Sequence, residues 1–579
     1  MGNVHPTGKT TYDAVRHDVP MRPWTVLAQD PQVLGKGGVA LTTTVSVPAE
    51  RLERGPKGHR VHVIDYDASA DTFYRARTTR VTDDPHAKVT DIEKLVRDPH
   101  FHQQNVYAIT MATLQVFESA LGRHVAWGFA EPSHQIKVAP HAFADANAYY
   151  SRESESLNFG YFPDSNGNTI YTCLSHDIVV HEATHALLDG LRPRYLLPSS
   201  TDQAGFHEGF ADIIALLSVF RCKEIIECLI APLADRSGRI PTAKLKASTL
   251  GDTGLFQLAE QMGAAMTGVP TEALRRSLRI KPNPKHYTSA AFEEAHDRGE
   301  LLVAIVMGAF LRIWETRLAP LSKGNPTGVS PIIVIDEGTS AAKQLLRILI
   351  RAIDYLPPVD LTYPDYLSAV LTADLQLYPD DDKYAYRTAL RDAFESYGVP
   401  PASRARTDGV WDPPDAGEFT LTGTHLEQMQ RDPTAVFRFI WENKSVLGIE
   451  RNAFTRVTSV RPVVRVSNDQ SILRETVVEY IQQLNVYSSE LGALGIKKPE
   501  GMPGNRLIRL YGGGTLIFSE YGLLKFHVGT GVKSESQTGR LQSLWERGYF
   551  AAKAPGRSDI ANLHRDRVLR PIAPAREAW

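Results

Sequence analysis

Residues 181–191 read HEATHALLDGL. His181 and His185 stand four apart, just over one helical turn, so both imidazoles leave the helix on one face and can grip a single metal ion. Glu182 follows directly, about 100° round the helix, where a carboxylate reaches a water on that ion without itself becoming a ligand. A catalytic zinc site uses three protein ligands and keeps one position open. The third donor should come from a nearby element. Residues 206–215 read FHEGFADIIA, a second helical pattern in which Glu208 and Asp212 share a face. Glu208 is the candidate third ligand. Asp212 is placed to accept a hydrogen bond from the far nitrogen of a ligand histidine, which fixes the tautomer and raises its basicity. The competing reading takes the two histidines as partly buried helix residues and Glu182 as solvent-facing. The ExxxD pattern that follows favours the metal.

The elements that must carry these residues fall into a recognisable order. Alternating runs separated by Gly, Pro and Asp (GVALTTTVSV, HRVHVIDYD, TFYRARTTRV) predict a β-rich region over 21–98, behind a flexible leader at 1–20. From 99 the stretch DPHFHQQNVYAITMATLQVFESALGR reads as one long helix, followed by strands in IKVAPHAF and ANAYY and a polar loop over 151–169. Helical patterns dominate 176–398, interrupted at the Pro-containing stretches 319–331 and 357–364. The apolar run 301–314 is too short to span a bilayer and reads as a buried helix. Residues 399–417, with four prolines and two glycines, read as a linker. Beyond it, 418–550 reads as a separate small α+β domain, with LRETVVEYIQQLNVY as a helix, Gly512–Gly514 as a tight turn and Glu520–Gly522 as the next one. A loosely ordered tail covers 551–579.

Composition narrows the function classes. The chain has 579 residues, too many for one small core, with 42% hydrophobic and 22% charged residues as in ordinary globular proteins. A net charge of -2 gives no electrostatic reason to expect nucleic acid or a membrane surface as partner. Three cysteines without a CxxC pair predict no disulfide framework. With no apolar signal segment at the start, a cytoplasmic setting is expected, with non-Sec export as the alternative.

The segment HDIVVHEATHALLDGL followed by GFHEGFADI resembles the active-site helices of the thermolysin family, the Glu-ligand branch of HExxH zinc metallopeptidases. The likeness extends over about 100–400. DANAYYSRESESLNFGYF resembles the edge strand that binds the substrate backbone, and this implies substrate-binding roles for Asn147 and Ala148. LRRSLRIKPNPKHYTS resembles a segment that makes Arg276 the holder of a substrate carbonyl. HDRGELLVAIVMGAF implies that His296 stabilises the oxyanion, and Tyr195 falls near the spacing of a second oxyanion donor. Asp177, four before His181, matches an outer residue that also ligates calcium. Val219 stands where the paired-calcium site needs a carboxylate, so that site is expected to be absent or degraded.

Together these readings predict an α+β fold with a thermolysin-like catalytic core over 99–398, a β-rich lobe ahead of a mostly helical one. The expected activity is that of a zinc metalloendopeptidase: Zn²⁺ on His181, His185 and Glu208, Glu182 as general base, and a peptide or protein substrate cut before a hydrophobic residue. The alternative is a non-catalytic peptide-binding or regulatory protein on the same scaffold, with the C-terminal domain as its output.

Overall fold

The computed structural model describes residues 20–550 except 32–40, 77–83, 130–133, 165–166, 252–276, 278, 326, 382, 416, 418, 421–424 and 467–471. The leader at 1–19, the tail at 551–579 and Arg276 therefore lie outside the described residues. The fold is mixed α+β, as the residue patterns predict.

The N-terminal part is β-rich. β1 (Met21–Leu27) and β2 (Thr42–Pro48) form an antiparallel pair. β3 (Val61–Val63) enters a larger sheet, while β4 (Tyr66–Asp67) and β5 (Thr72–Phe73) pair with each other. The long helix Pro99–Leu121 starts on an Asp98 cap, with proline at its first position, and ends at Gly122 in the left-handed conformation. The larger sheet also contains β6 (Ile136–Phe143), β7 (Ala148–Ser151), β8 (Ser156–Pro163) and β9 (Thr169–Tyr171), in the order β3-β6-β8-β7 with β9 also on β8. β3, β6 and β8 run parallel, and β7 is antiparallel at the edge. The segment 151–169, read from its polarity as a loop, contains β8. Leu157, Phe159 and Phe162 are buried there, and the polar residues between them hide the strand in the sequence.

The helical part contains His176–Leu191, Thr201–Val219, Ala295–Gly324, Pro331–Ala352, Tyr363–Leu377 and Tyr386–Ser396. Every residue of His176–Leu191 is buried, so this helix runs through the middle of the molecule. Thr201–Val219 crosses Ala295–Gly324 at glycines. A Cβ on Gly209 would lie 2.7 Å from the Gly299 carbonyl oxygen and 3.1 Å from its Cα, so only glycine permits this backbone approach. The break expected over 319–331 comes later than predicted. Ala295–Gly324 continues through Pro320 without the hydrogen bond that its missing N–H would make to residue 316, and ends four residues later.

The C-terminal region holds an antiparallel meander of β10 (Phe454–Val466), β11 (Ile472–Tyr487), β12 (Leu507–Ser519) and β13 (Leu524–Thr530), with the helices Pro433–Glu442 and Ser536–Glu546. Two expectations are corrected here. LRETVVEYIQQLNVY is strand β11, not a helix: Val477 packs into the main core while Val478 faces a second core with Phe439 and Ile440. Burial on both faces removes the polar alternation that would have announced a strand. Gly512–Gly514 lies inside β12, where a Cβ on Gly513 would come within 2.3 Å of the Tyr480 carbonyl oxygen. The turn expected at Glu520–Gly522 is present, with Gly522 N–H donating to the Ser519 carbonyl at 3.0 Å.

This region is not a detached unit. Val463, Val477, Ile517, Phe526 and Val528 belong to the same continuous core as the helices. Arg123 makes two hydrogen bonds to Asp354, at 2.6 and 2.7 Å; Arg465 of β10 contacts both Asp354 and Glu475, Lys525 reaches Glu475 at 2.6 Å, and Arg192 meets Glu479. The stretch read as a linker is docked as well: Trp411 is buried, and its indole N–H donates to the Tyr355 carbonyl at 2.9 Å.

Candidate metal centre

His181 and His185 leave the buried helix His176–Leu191 on one face, and their Nε2 atoms lie 2.9 Å apart. Glu208, on the crossing helix, brings its carboxylate to 3.8 Å from His181 Nε2 and 3.7 Å from His185 Nε2. All three donor atoms fall within 4.8 Å of one another, and all three side chains are buried. Zinc about 2.1 Å from each donor at tetrahedral angles would hold them about 3.4 Å apart, a value inside the observed range. Two imidazoles and a carboxylate at this spacing are a donor set that fits zinc.

The outer contacts orient these ligands. His181 Nδ1–H donates to Asp212 Oδ1 at 2.9 Å, the contact expected from the ExxxD pattern. His185 Nδ1 meets His207 Nδ1 at 2.8 Å, and the two rings lie nearly parallel, 16° apart. Sequence reasoning missed His207, although it directly precedes Glu208. Burial alone would lower the His181 pKa, but the Asp212 hydrogen bond and the charges of Glu182 and Glu208 outweigh it and hold the group above 6.5. Three carboxylates around two imidazoles make a buried, negatively charged space suited to a cation.

Glu182 is fully buried and does not face solvent. Its Oε2 accepts the Tyr150 backbone N–H of β7 at 2.8 Å. The Tyr150 hydroxyl donates to Asp189 at 2.9 Å, so the edge strand is tied to the same helix at two points. Asn147 is buried and its carbonyl accepts Gly160 N–H at 2.9 Å; Ala148 opens β7. Among the described residues β7 pairs only with β8 and ends the sheet, the position at which an extended chain can be added as a further strand.

His296 sits in the first turn of Ala295–Gly324, three residues before the Gly299 contact that abuts Glu208. Glu294 caps that helix and holds His296 Nδ1 at 3.0 Å, while His296 Nε2 is buried without a hydrogen-bond partner. Tyr195 is placed differently from the expected oxyanion donor. Its hydroxyl is buried and donates to the Pro357 carbonyl at 2.6 Å, so its proton is already engaged where the chain packs under 357. One turn upstream of His181, Asp177 lies beside Asp30; burial, then that neighbouring charge, push its carboxyl up to about 7.

The chain matches no protein-family model and no curated protein sequence.

Proposed function

We propose that this protein is a zinc-dependent metalloendopeptidase of the thermolysin-like kind. The observation that carries the reading is the joint placement of Glu182: beside a buried His/His/Glu ligand set, and hydrogen-bonded to the edge strand. A purely structural metal site has no use for a carboxylate held between the ligands and a strand that can take a peptide.

Bound by His181, His185 and Glu208, zinc would polarise a scissile carbonyl and lower the pKa of water toward about 7. The chain's own residues do the rest. β7 pairs with the substrate backbone and sets its register. Glu182, held by Tyr150 N–H, accepts the proton of the attacking water and returns it to the leaving amine. His296 Nε2, buried and unpartnered, is available to donate to the developing oxyanion. Asp212 keeps His181 in the ligating tautomer.

The test is hydrolysis of an internally quenched peptide library by the full chain before chelation, after chelation and after zinc is restored. Cleavage lost on chelation and regained with zinc supports the proposal. Cleavage that ignores the chelator, or none in a protein carrying a full zinc equivalent, rejects it.

A further inference from the structure

A second group of buried ligand-type side chains lies in the β-rich part of the molecule: His102 on the helix Pro99–Leu121, His141 on β6 and Cys173 on the turn Thr172–Leu174. Their ligand atoms lie within 4.8 Å of one another. The residues are far apart in sequence, so no motif announces them.

The outer contacts decide what faces inward. His102 Nε2–H donates to the Val96 carbonyl at 2.8 Å. His141 Nδ1–H donates to Asp65 Oδ1 at 2.8 Å, and Gln103 holds the other Asp65 oxygen at 2.8 Å. A carboxylate on one histidine and a backbone carbonyl on the other are the partners that metal-bound imidazoles use. With those protons assigned, His102 Nδ1 and His141 Nε2 turn toward each other 2.7 Å apart, each with a lone pair. Two lone pairs at that distance repel unless a proton or a cation lies between them. Cys173 Sγ lies within 4.8 Å of a ring nitrogen of each histidine.

We propose that His102, His141 and Cys173 bind a second zinc ion, distinct from the His181/His185/Glu208 centre. Charge selects a divalent ion. The Cys173 thiolate and the Asp65 carboxylate together carry two negative charges, which a divalent cation neutralises in this buried space and a monovalent one does not. Imidazole and thiolate donors together are those of zinc rather than of calcium or magnesium. On binding, the Cys173 S–H bond breaks, its proton leaves to solvent and the sulfur keeps the electron pair for the metal. Leu174 ends the turn that bears Cys173, and the helix carrying His181 begins at His176. The ion therefore fastens the start of that helix to β6 and to Pro99–Leu121.

Cobalt provides the test, because only this site contains sulfur. The full chain is loaded with Co²⁺ and its near-ultraviolet spectrum read, with zinc per chain measured in parallel by mass spectrometry. The expected result is a thiolate-to-cobalt charge-transfer band in the wild type, abolished in Cys173→Ala and kept in His185→Ala. Zinc is expected at two equivalents in the wild type and one in each variant. A band with only one wild-type zinc equivalent supports this site and counts against the other. No band in the wild type overturns the proposal, and so does a band that survives in Cys173→Ala. If Cys173→Ala does not fold, X-ray absorption of the wild-type zinc protein decides: sulfur in the zinc shell supports the site, and its absence rejects it.

Discussion

Replacing Glu182 with glutamine separates the chemistry from the scaffold. The amide is isosteric, and its carbonyl oxygen can accept the same Tyr150 N–H that Glu182 Oε2 accepts at 2.8 Å. His181, His185 and Glu208 are untouched, so zinc should remain at its wild-type level. What disappears is the proton acceptor. General-base catalysis contributes roughly a hundred- to ten-thousandfold, so kcat should fall by that factor, about 3–5 kcal/mol of barrier, with KM little changed. Glu182→Asp should fall between the two, because its carboxylate is retained but shortened away from the Tyr150 N–H. The assay is cleavage of a quenched fluorogenic peptide by enzyme whose zinc content is measured in the same tube. A zinc-loaded Glu182→Gln protein that cleaves within about tenfold of wild type would refute the assignment of the base.

Asp212→Asn should weaken zinc binding about ten- to a hundredfold, read by competition with a chromophoric chelator; unchanged affinity would mean that Asp212 does not orient His181. Gly209→Ala should destabilise the fold, since its methyl would meet Gly299 at 2.7 Å. Gly308→Ala on the same helix as Gly299, with nothing within 4 Å, should instead raise stability by roughly 0.5–1 kcal/mol. Urea unfolding compares the two, and equal effects would contradict the close crossing. Asp354→Ala strands Arg123 and Arg465 without their shared carboxylate and should cost about 3–5 kcal/mol in the same assay. Asp177 titrates near 7 when folded and near 3.8 when unfolded, so the folded chain holds an extra proton between those values. Its contribution therefore lowers stability as pH rises from about 4 to about 7, by up to about 4 kcal/mol, and Asp177→Asn should flatten that slope; parallel pH profiles would refute it.

The candidate metal centre is legible because its chemistry is local. Helical spacing alone places His181 with His185 and Glu208 with Asp212, and the crossing that joins the pairs needed only short helices close in sequence. Tyr150 was invisible as a partner of Glu182, because the contact is a backbone N–H that carries no residue signature. His102, His141 and Cys173 were invisible because strand and helix packing, not spacing, assembles them. Tyr195 shows the reverse case, where a plausible residue type is committed elsewhere by the Pro357 carbonyl. β11 was misread because both its faces are covered, and the linker because proline content says nothing about whether a segment such as Trp411 docks.

The ion pairs beneath the C-terminal sheet govern how the molecule comes apart. A protease cutting at the exposed Asp412 or Asp415 would yield two pieces that stay together. Pulling them apart would bare Arg192, Arg123 and Asp354 on one piece and Glu479, Arg465 and Glu475 on the other, all now sealed from water. Nicked protein should thus run as a single particle until denatured, and trimming the gene at this point removes one wall of the body rather than an appendage.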